Sequence, residues 1–149
     1  MNKQKIIRIG LPALIGILII IQFFRPDHSA PAVIPAHDFI AVTQPPANLS
    51  AHLKAACYDC HSYETVWPWY TNIAPISWWI SGHVKGGRQH LNFSEWGTFT
   101  PEEQAHQLEE CHEVLEKKWM PLSSYTWLHP SAKLSETDRK LLSDWFNSL

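Results

Sequence analysis

Cys57, Cys60 and His61, in the string C-Y-D-C-H, are the residues of this chain best suited by type and spacing to do chemistry. Cys-x-x-Cys-His is the sequence form of covalent c-type haem attachment. In that chemistry each thiol adds across a haem vinyl group, and the histidine next along the backbone rises to the iron as proximal ligand. Positions 57, 60 and 61 are related as i, i+3 and i+4, so on a helix they share one face. A flat macrocycle needs such a face.

Three other chemistries use the same residue types. A zinc site commonly takes four protein ligands in two close pairs, and Cys111 is the only further cysteine. A thioredoxin-like redox pair belongs in a strand-to-helix setting that the neighbouring residues do not offer. A disulfide between Cys57 and Cys60 would close a very short loop and leave His61 unexplained. Haem attachment accounts for all three residues.

A second axial ligand to the iron has one soft candidate. Apart from the initiator, Met120 is the only methionine, standing in W-M-P-L just after a predicted helix, and Met/His ligation raises the reduction potential of a haem. Ordinary core packing is the competing role for Met120. Among nine histidines the rivals are His83, on the apolar side of its predicted helix, and His129 in L-H-P, either of which would give a bis-His iron. Eight tryptophans are candidates to wall a porphyrin or to fill the core, and Arg88 is a candidate to pair a propionate.

The elements that must position these residues can be read from patterning. A basic start, with Lys3, Lys5 and Arg8, leads into an apolar stretch from Ile6 to Phe24 broken by Arg8 and Gln22. Its length approaches the roughly 30 Å of a bilayer core, so residues 1–25 are expected to form a transmembrane anchor with the cations on the cytoplasmic side. Ala30-Pro31-Ala32 keeps a cleaved signal peptide open as the alternative. Residues 26–47 hold five of the eleven prolines and read as an extended tether, with Phe39, Ile40 and Val42 docking on the domain. Residues 48–149 are the size of one domain. With Lys3, Lys5, Arg8 and Arg25 set aside, eight cations face fourteen acids, so the remainder carries about −6 with histidines neutral. That balance excludes nucleic acid as partner.

Within the domain every strong signal is helical. Asn48-Leu49-Ser50 opens a helix whose Leu49, Leu53, Ala56, Cys57 and Cys60 share a side. Pro75 starts another, with Ile76, Trp79, Ile80 and His83 inward and Gly86-Gly87 as its stop. Thr100-Pro-Glu-Glu is a capping box, followed by Ala105, Leu108, Cys111 or His112, and Leu115. Cys111 is expected to be a buried apolar residue, a reactive thiol being the alternative. A last helix starts at Ser135, with Leu134 as staple and Leu141, Leu142, Trp145 and Phe146 as its apolar side. The fold expected is all-α.

The strings C-Y-D-C-H-S-Y-E-T-V-W-P-W-Y-T-N-I-A-P-I-S-W-W-I, G-H-V-K-G-G-R-Q-H-L-N-F-S-E-W and M-P-L-S-S-Y-T-W-L-H-P-S-A-K-L-S resemble the bacterial haem-binding domain family that bears a single CxxCH motif. The resemblance spans nearly all of residues 45–149. It implies a cytochrome c-like domain with one covalent haem c and its iron, usually behind an N-terminal anchor in the envelope of a Gram-negative bacterium. Cys57, Cys60 and His61 correspond as haem residues, and Met120 as the Met-Pro-Leu position. Cys111 lies outside the pattern. The function expected is electron transfer, without enzymatic turnover, by a periplasmic domain on the inner membrane that meets a redox partner bearing a basic patch. A ligand sensor or peroxidase-like enzyme with an open distal site is the alternative, and a module whose haem only holds the fold together is a third.

Overall fold

The apolar N-terminal run forms α1, Lys3–Ile20, which tightens into a 3-10 turn over Ile21–Phe23. The structure, a computed structural model, describes residues 3–149 and side chains from Arg8 onward. The expectation of a single membrane-spanning helix over the run needs correction. Among the described residues no helix is long and apolar enough to cross a membrane. The reason is where the charges fall: Arg8 lies inside α1, so the charge-free α-helix from Ile9 to Ile20 is only about 18 Å long, against roughly 30 Å of hydrocarbon.

All regular structure among the described residues is helical. Beyond α1 the chain forms α2 (Phe39–Thr43), α3 (Ala47–Leu53), α4 (Asp59–His61), α5 (Ile76–His90), α6 (Pro101–Glu116), α7 (Ser123–Leu128) and α8 (Glu136–Phe146). The chain divides into two compact units. One comprises residues 1–29 and 67–85, the other residues 30–66 and 86–149.

The larger unit is built around aromatic rings. Phe39 is fully buried, with Trp96 edge-on at 4.7 Å, Phe93 at 4.9 Å and Phe146 at 5.9 Å between ring centroids. It is placed by its neighbour. Asp38 caps α2 by accepting the Ile40 and Ala41 N–H groups, and its carboxylate also accepts the buried Tyr58 O–H at 3.2 Å. Part of the segment expected to be a tether therefore belongs to this core. Phe39 docks as expected and Ile40 packs beside it, whereas Val42 stays exposed. Gly97 allows the approach of the 3-10 turn Pro35–His37, since a Cβ there would lie 2.9 Å from the His37 Cα.

The capping signals place α6 and α8 as expected. Thr100 and Glu103 form the reciprocal capping box, and Ser135 Oγ accepts the Asp138 N–H. Cys111 and Leu115 of α6 join Leu134 and, from α8, Leu142 and Phe146 in the core. Ala105 and Leu141 are exposed, so those two inward assignments are corrected. The start of α3 is also corrected, because Pro46 rather than Asn48 holds the cap position, with the Ser50 hydroxyl donating back to the Pro45 and Pro46 carbonyls. Truncating the ring at the centre, Phe39→Ala, should cost about 3–5 kcal/mol in denaturant unfolding. A loss below about 1 kcal/mol would mean that residues 38–43 are not part of the core.

Candidate functional site

The attachment motif sits on a helix that changes pitch. Leu49 and Leu53 are buried at α-helical spacing, and then Lys54–Tyr58 forms a π turn before α4 resumes. The wider turn makes Tyr58, five residues after Leu53, the next buried position. Its ring stacks on Phe93 at 5.2 Å. With Tyr58 drawn inward, Cys57, Cys60 and His61 are left half-buried, and all three cysteines of the chain are free thiols.

His61 is held by the end of α5. Its Nδ1 lies 3.1 Å from the Leu91 carbonyl oxygen, which can only accept, so the proton resides on Nδ1 and Nε2 carries the lone pair. Burial lowers the basicity of the ring and keeps it neutral. Desolvation pushes the thiols the other way, Cys57 up to about 12 and Cys60 up to about 11.

The backbone of α5 comes close enough for this because of one missing side chain. A Cβ on Gly87 would stand 2.6 Å from the Cys60 carbonyl oxygen, whereas one on Gly86 would meet nothing. The expectation that Gly86-Gly87 ends the helix is thus corrected: α5 continues to His90, and Gly87 serves close packing. The phase is corrected with it. Ser77 and Val84 are the buried residues of α5, while Ile76, Trp79 and His83 are exposed.

Arg88 ties down the loop that leaves the motif. Its Nε donates to the Ser62 carbonyl at 2.7 Å and its Nη2 to Thr65 Oγ1 at 2.9 Å, and its guanidinium lies over the Tyr63 ring. Asp59, one of the two variable positions in C-Y-D-C-H, accepts the Val66 N–H with one carboxylate oxygen and the Tyr125 O–H, at 2.7 Å, with the other. Tyr125 belongs to α7, a short helix that no sequence signal announces, and it joins the chain after Met120 to the attachment helix.

Met120 is positioned through its backbone. Lys117 ends α6, Lys118 adopts a left-handed conformation with φ 58°, and the Trp119 and Lys118 N–H groups return to the Val114 and Leu115 carbonyls, a Schellman cap. Arg139 Nη1 then donates to the Met120 carbonyl at 2.5 Å and the Leu115 carbonyl at 3.3 Å. The Met120 side chain is half-buried in the same unit as His61. His129 is also in that unit, its Nδ1 2.9 Å from the Tyr125 carbonyl and its ring stacked on Tyr125. His83 is in the other unit, exposed, with Nδ1 donating to the Trp79 carbonyl. Of the tryptophans, Trp96 is core, and Trp69, Trp78, Trp79, Trp119 and Trp127 are exposed.

Two thiols and a neutral imidazole, within five residues on one helical stretch, fit haem. Among the described residues no three histidine, cysteine or acidic side chains gather as ligands for a bare metal ion. The family comparison agrees with this chemistry: a model of the haem-binding domain matches residues 16–148, and the chain belongs to that family. No curated protein and no solved structure matches it.

The parts played by Leu91, Gly87, Tyr125 and Arg139 are not visible in the sequence. The carbonyl of Leu91 leaves no trace there, and the glycine pair is the one available signal. Two outcomes are expected. Gly87→Ala should destabilise the protein by about 1–3 kcal/mol through overpacking, whereas Gly86→Ala should stabilise it by up to about 1 kcal/mol through helix propensity. Denaturant titration of the pair checks the contrast, and equal effects would refute the close-packing role. In the haem-free protein, the stability gained from keeping Cys57 and Cys60 protonated is complete below the ordinary thiol value of 9.0 and falls as the pH rises toward 11 and 12. Unfolding measured between about pH 8 and 11 should show that loss reduced in Cys57→Ala/Cys60→Ala.

Proposed function

We propose that the chain is a membrane-attached, monohaem c-type electron carrier. Cys57 and Cys60 would hold the haem through their thiols, and His61 Nε2 and the Met120 thioether would hold its iron. The observation that carries this reading is the state of His61: its proton is committed to the Leu91 carbonyl, its other nitrogen carries a lone pair, and a free thiol precedes it one residue before and four residues before.

Bound at this motif, the haem iron supplies one-electron exchange between its ferrous and ferric forms. The chain supplies the rest. Burial keeps His61 neutral, so no proton need leave before it ligates. The Leu91 acceptor fixes the ring orientation and strengthens the imidazole as a donor. Arg139 and the Schellman cap fix the Met120 backbone. His61 and Met120 would thus both be available to hold the iron.

Attachment to the membrane rests on α1 and the turn after it, where apolar side chains from Ile9 to Phe24 stand largely exposed. The run is short for a full span, and local bilayer thinning with the opening cations at headgroup level accommodates such a mismatch. Lys3, Lys5 and Arg8 favour a cytoplasmic N-terminus, which puts the haem domain in the periplasm. The larger unit carries thirteen acids against seven cations, about −6, and so suits a redox partner with a basic patch reached by salt-sensitive steering.

Absorption spectra of the haem-loaded protein test the reading. Low-spin bands in both oxidation states, indifference of the reduced form to carbon monoxide, and the weak far-red band of Met-ligated ferric haem are expected, with that band lost in Met120→Ala. Low-spin spectra that lack the band in the wild type would replace Met120 by a histidine, His129 or His83. High-spin spectra that shift with carbon monoxide would move the protein to ligand sensing or peroxide chemistry.

A further inference from the structure

The smaller unit contains a feature that haem binding does not use. Residues 67–80, W-P-W-Y-T-N-I-A-P-I-S-W-W-I, place Trp69, Ile73, Trp78 and Trp79 at the surface, Trp69 being 75% exposed. Phe23 and Phe24, from the same unit, are 83% and 66% exposed. Isolated exposed apolar residues are ordinary, but a cluster of large ones within one unit marks an interaction surface.

We infer that this tryptophan-rich segment seats in the interfacial layer of the membrane, beside the point where the apolar N-terminal run emerges. Three observations lead there. First, the segment is bound to the end of that run. The Gln22 side-chain amide donates to the Ala74 carbonyl and accepts the Ala74 N–H, each at 3.0 Å, the Trp78 indole N–H donates to the Phe24 carbonyl at 2.5 Å, and His28 stacks on Trp67 at 3.8 Å. Gln22, which interrupts the apolar run, thus satisfies both backbone groups of a residue in an irregular stretch, which backbone approaching hydrocarbon requires.

Second, the residue types are those of the headgroup layer. Indole combines a large apolar face with one N–H donor and is enriched where lipid meets water. Third, the charge fits an anionic bilayer. No acid occurs between Glu64 and Glu95, and on the side of the bilayer opposite Lys3, Lys5 and Arg8 the smaller unit has two cations, Arg25 and Lys85, against Asp27 alone. That part of the unit carries about +1 against −6 in the larger unit, so an anionic surface accepts the segment and repels the other unit.

The inference rests on the membrane attachment of α1 proposed above, and its test separates the two. In haem-loaded full-length protein carrying Cys111→Ala, single cysteines are introduced by Trp69→Cys, Ile73→Cys, Leu14→Cys and Glu136→Cys. Each variant is placed in phosphatidylethanolamine/phosphatidylglycerol vesicles and treated with a water-soluble maleimide. Glu136, 77% exposed in its side chain, is the aqueous reference. Reaction at positions 69 and 73 several-fold slower than at 136, and unchanged on dilution into excess lipid, is the result expected. With position 14 protected but 69 and 73 reacting like 136, the interfacial seat is overturned and the anchor stands. With 14 reactive and 69 and 73 protected, the anchor fails and the seat stands. Protection at 69 and 73 that disappears on dilution into lipid identifies a second copy of the chain as the occupant and overturns the proposal.

Discussion

The closeness of α5 to the Cys57–His61 turn is the constraint on which the site depends. Three residues within one turn and a half of chain act together: Gly87 allows the approach, Arg88 holds the loop that leaves the motif, and the Leu91 carbonyl fixes the His61 tautomer. A side chain at position 87 would hold the helix off the Cys60 carbonyl and take the Leu91 acceptor out of reach. The imidazole would then lose the bond that decides which nitrogen carries its proton. On the other side of the motif, Tyr58 is fixed by the Asp38 carboxylate and the Phe93 ring. The motif is thus gripped from two directions, and the π turn lets Tyr58 reach inward while Cys57 and Cys60 stay half-buried.

Local chemistry is legible in the sequence, and phase and long-range contact are not. The capping box before α6 and the Ser135 cap before α8 announce those helices because the groups that form them lie within three residues of one another. The attachment motif is equally local. The π turn has no residue signature, so a uniform 3.6-residue period assigns Tyr58 to the wrong side. In α5 the large side chains suggest one inward face, whereas Ser77 and Val84 mark the buried one, and tryptophans on an exposed face defeat any rule that equates size with burial. Six residues are too few for α7 to show a period. Phe39 shows a different limit: its docking can be read from a large ring among prolines and small residues, but its place at the centre of the core depends on rings distant in sequence.

The route from α6 to Met120 shows how an unfavourable residue is tolerated. Lys118 occupies a left-handed position that glycine usually fills, at a cost on the order of 1–2 kcal/mol. Two cap hydrogen bonds and the Arg139 guanidinium, which satisfies one α6 carbonyl and that of Met120, offset it. The Met120 backbone is consequently set by the end of one helix and by a side chain of another, and both belong to the same core.

Charge divides along the same boundary as the packing. Thirteen of the fourteen acids lie in the unit that holds Cys57, Cys60, His61 and Met120, and the unit containing α1 has one. Surface charge contributes little to stability, so folding alone gives no reason for such a division. Encounter does give one. On the function proposed above, an acidic surface around the site would steer a basic partner from solution and would be repelled by anionic lipid. The apolar, cationic unit meets the opposite requirement. Two kinds of contact, one with protein and one with lipid, can then form without competing for the same side chains, because the residues suited to each are kept in separate units.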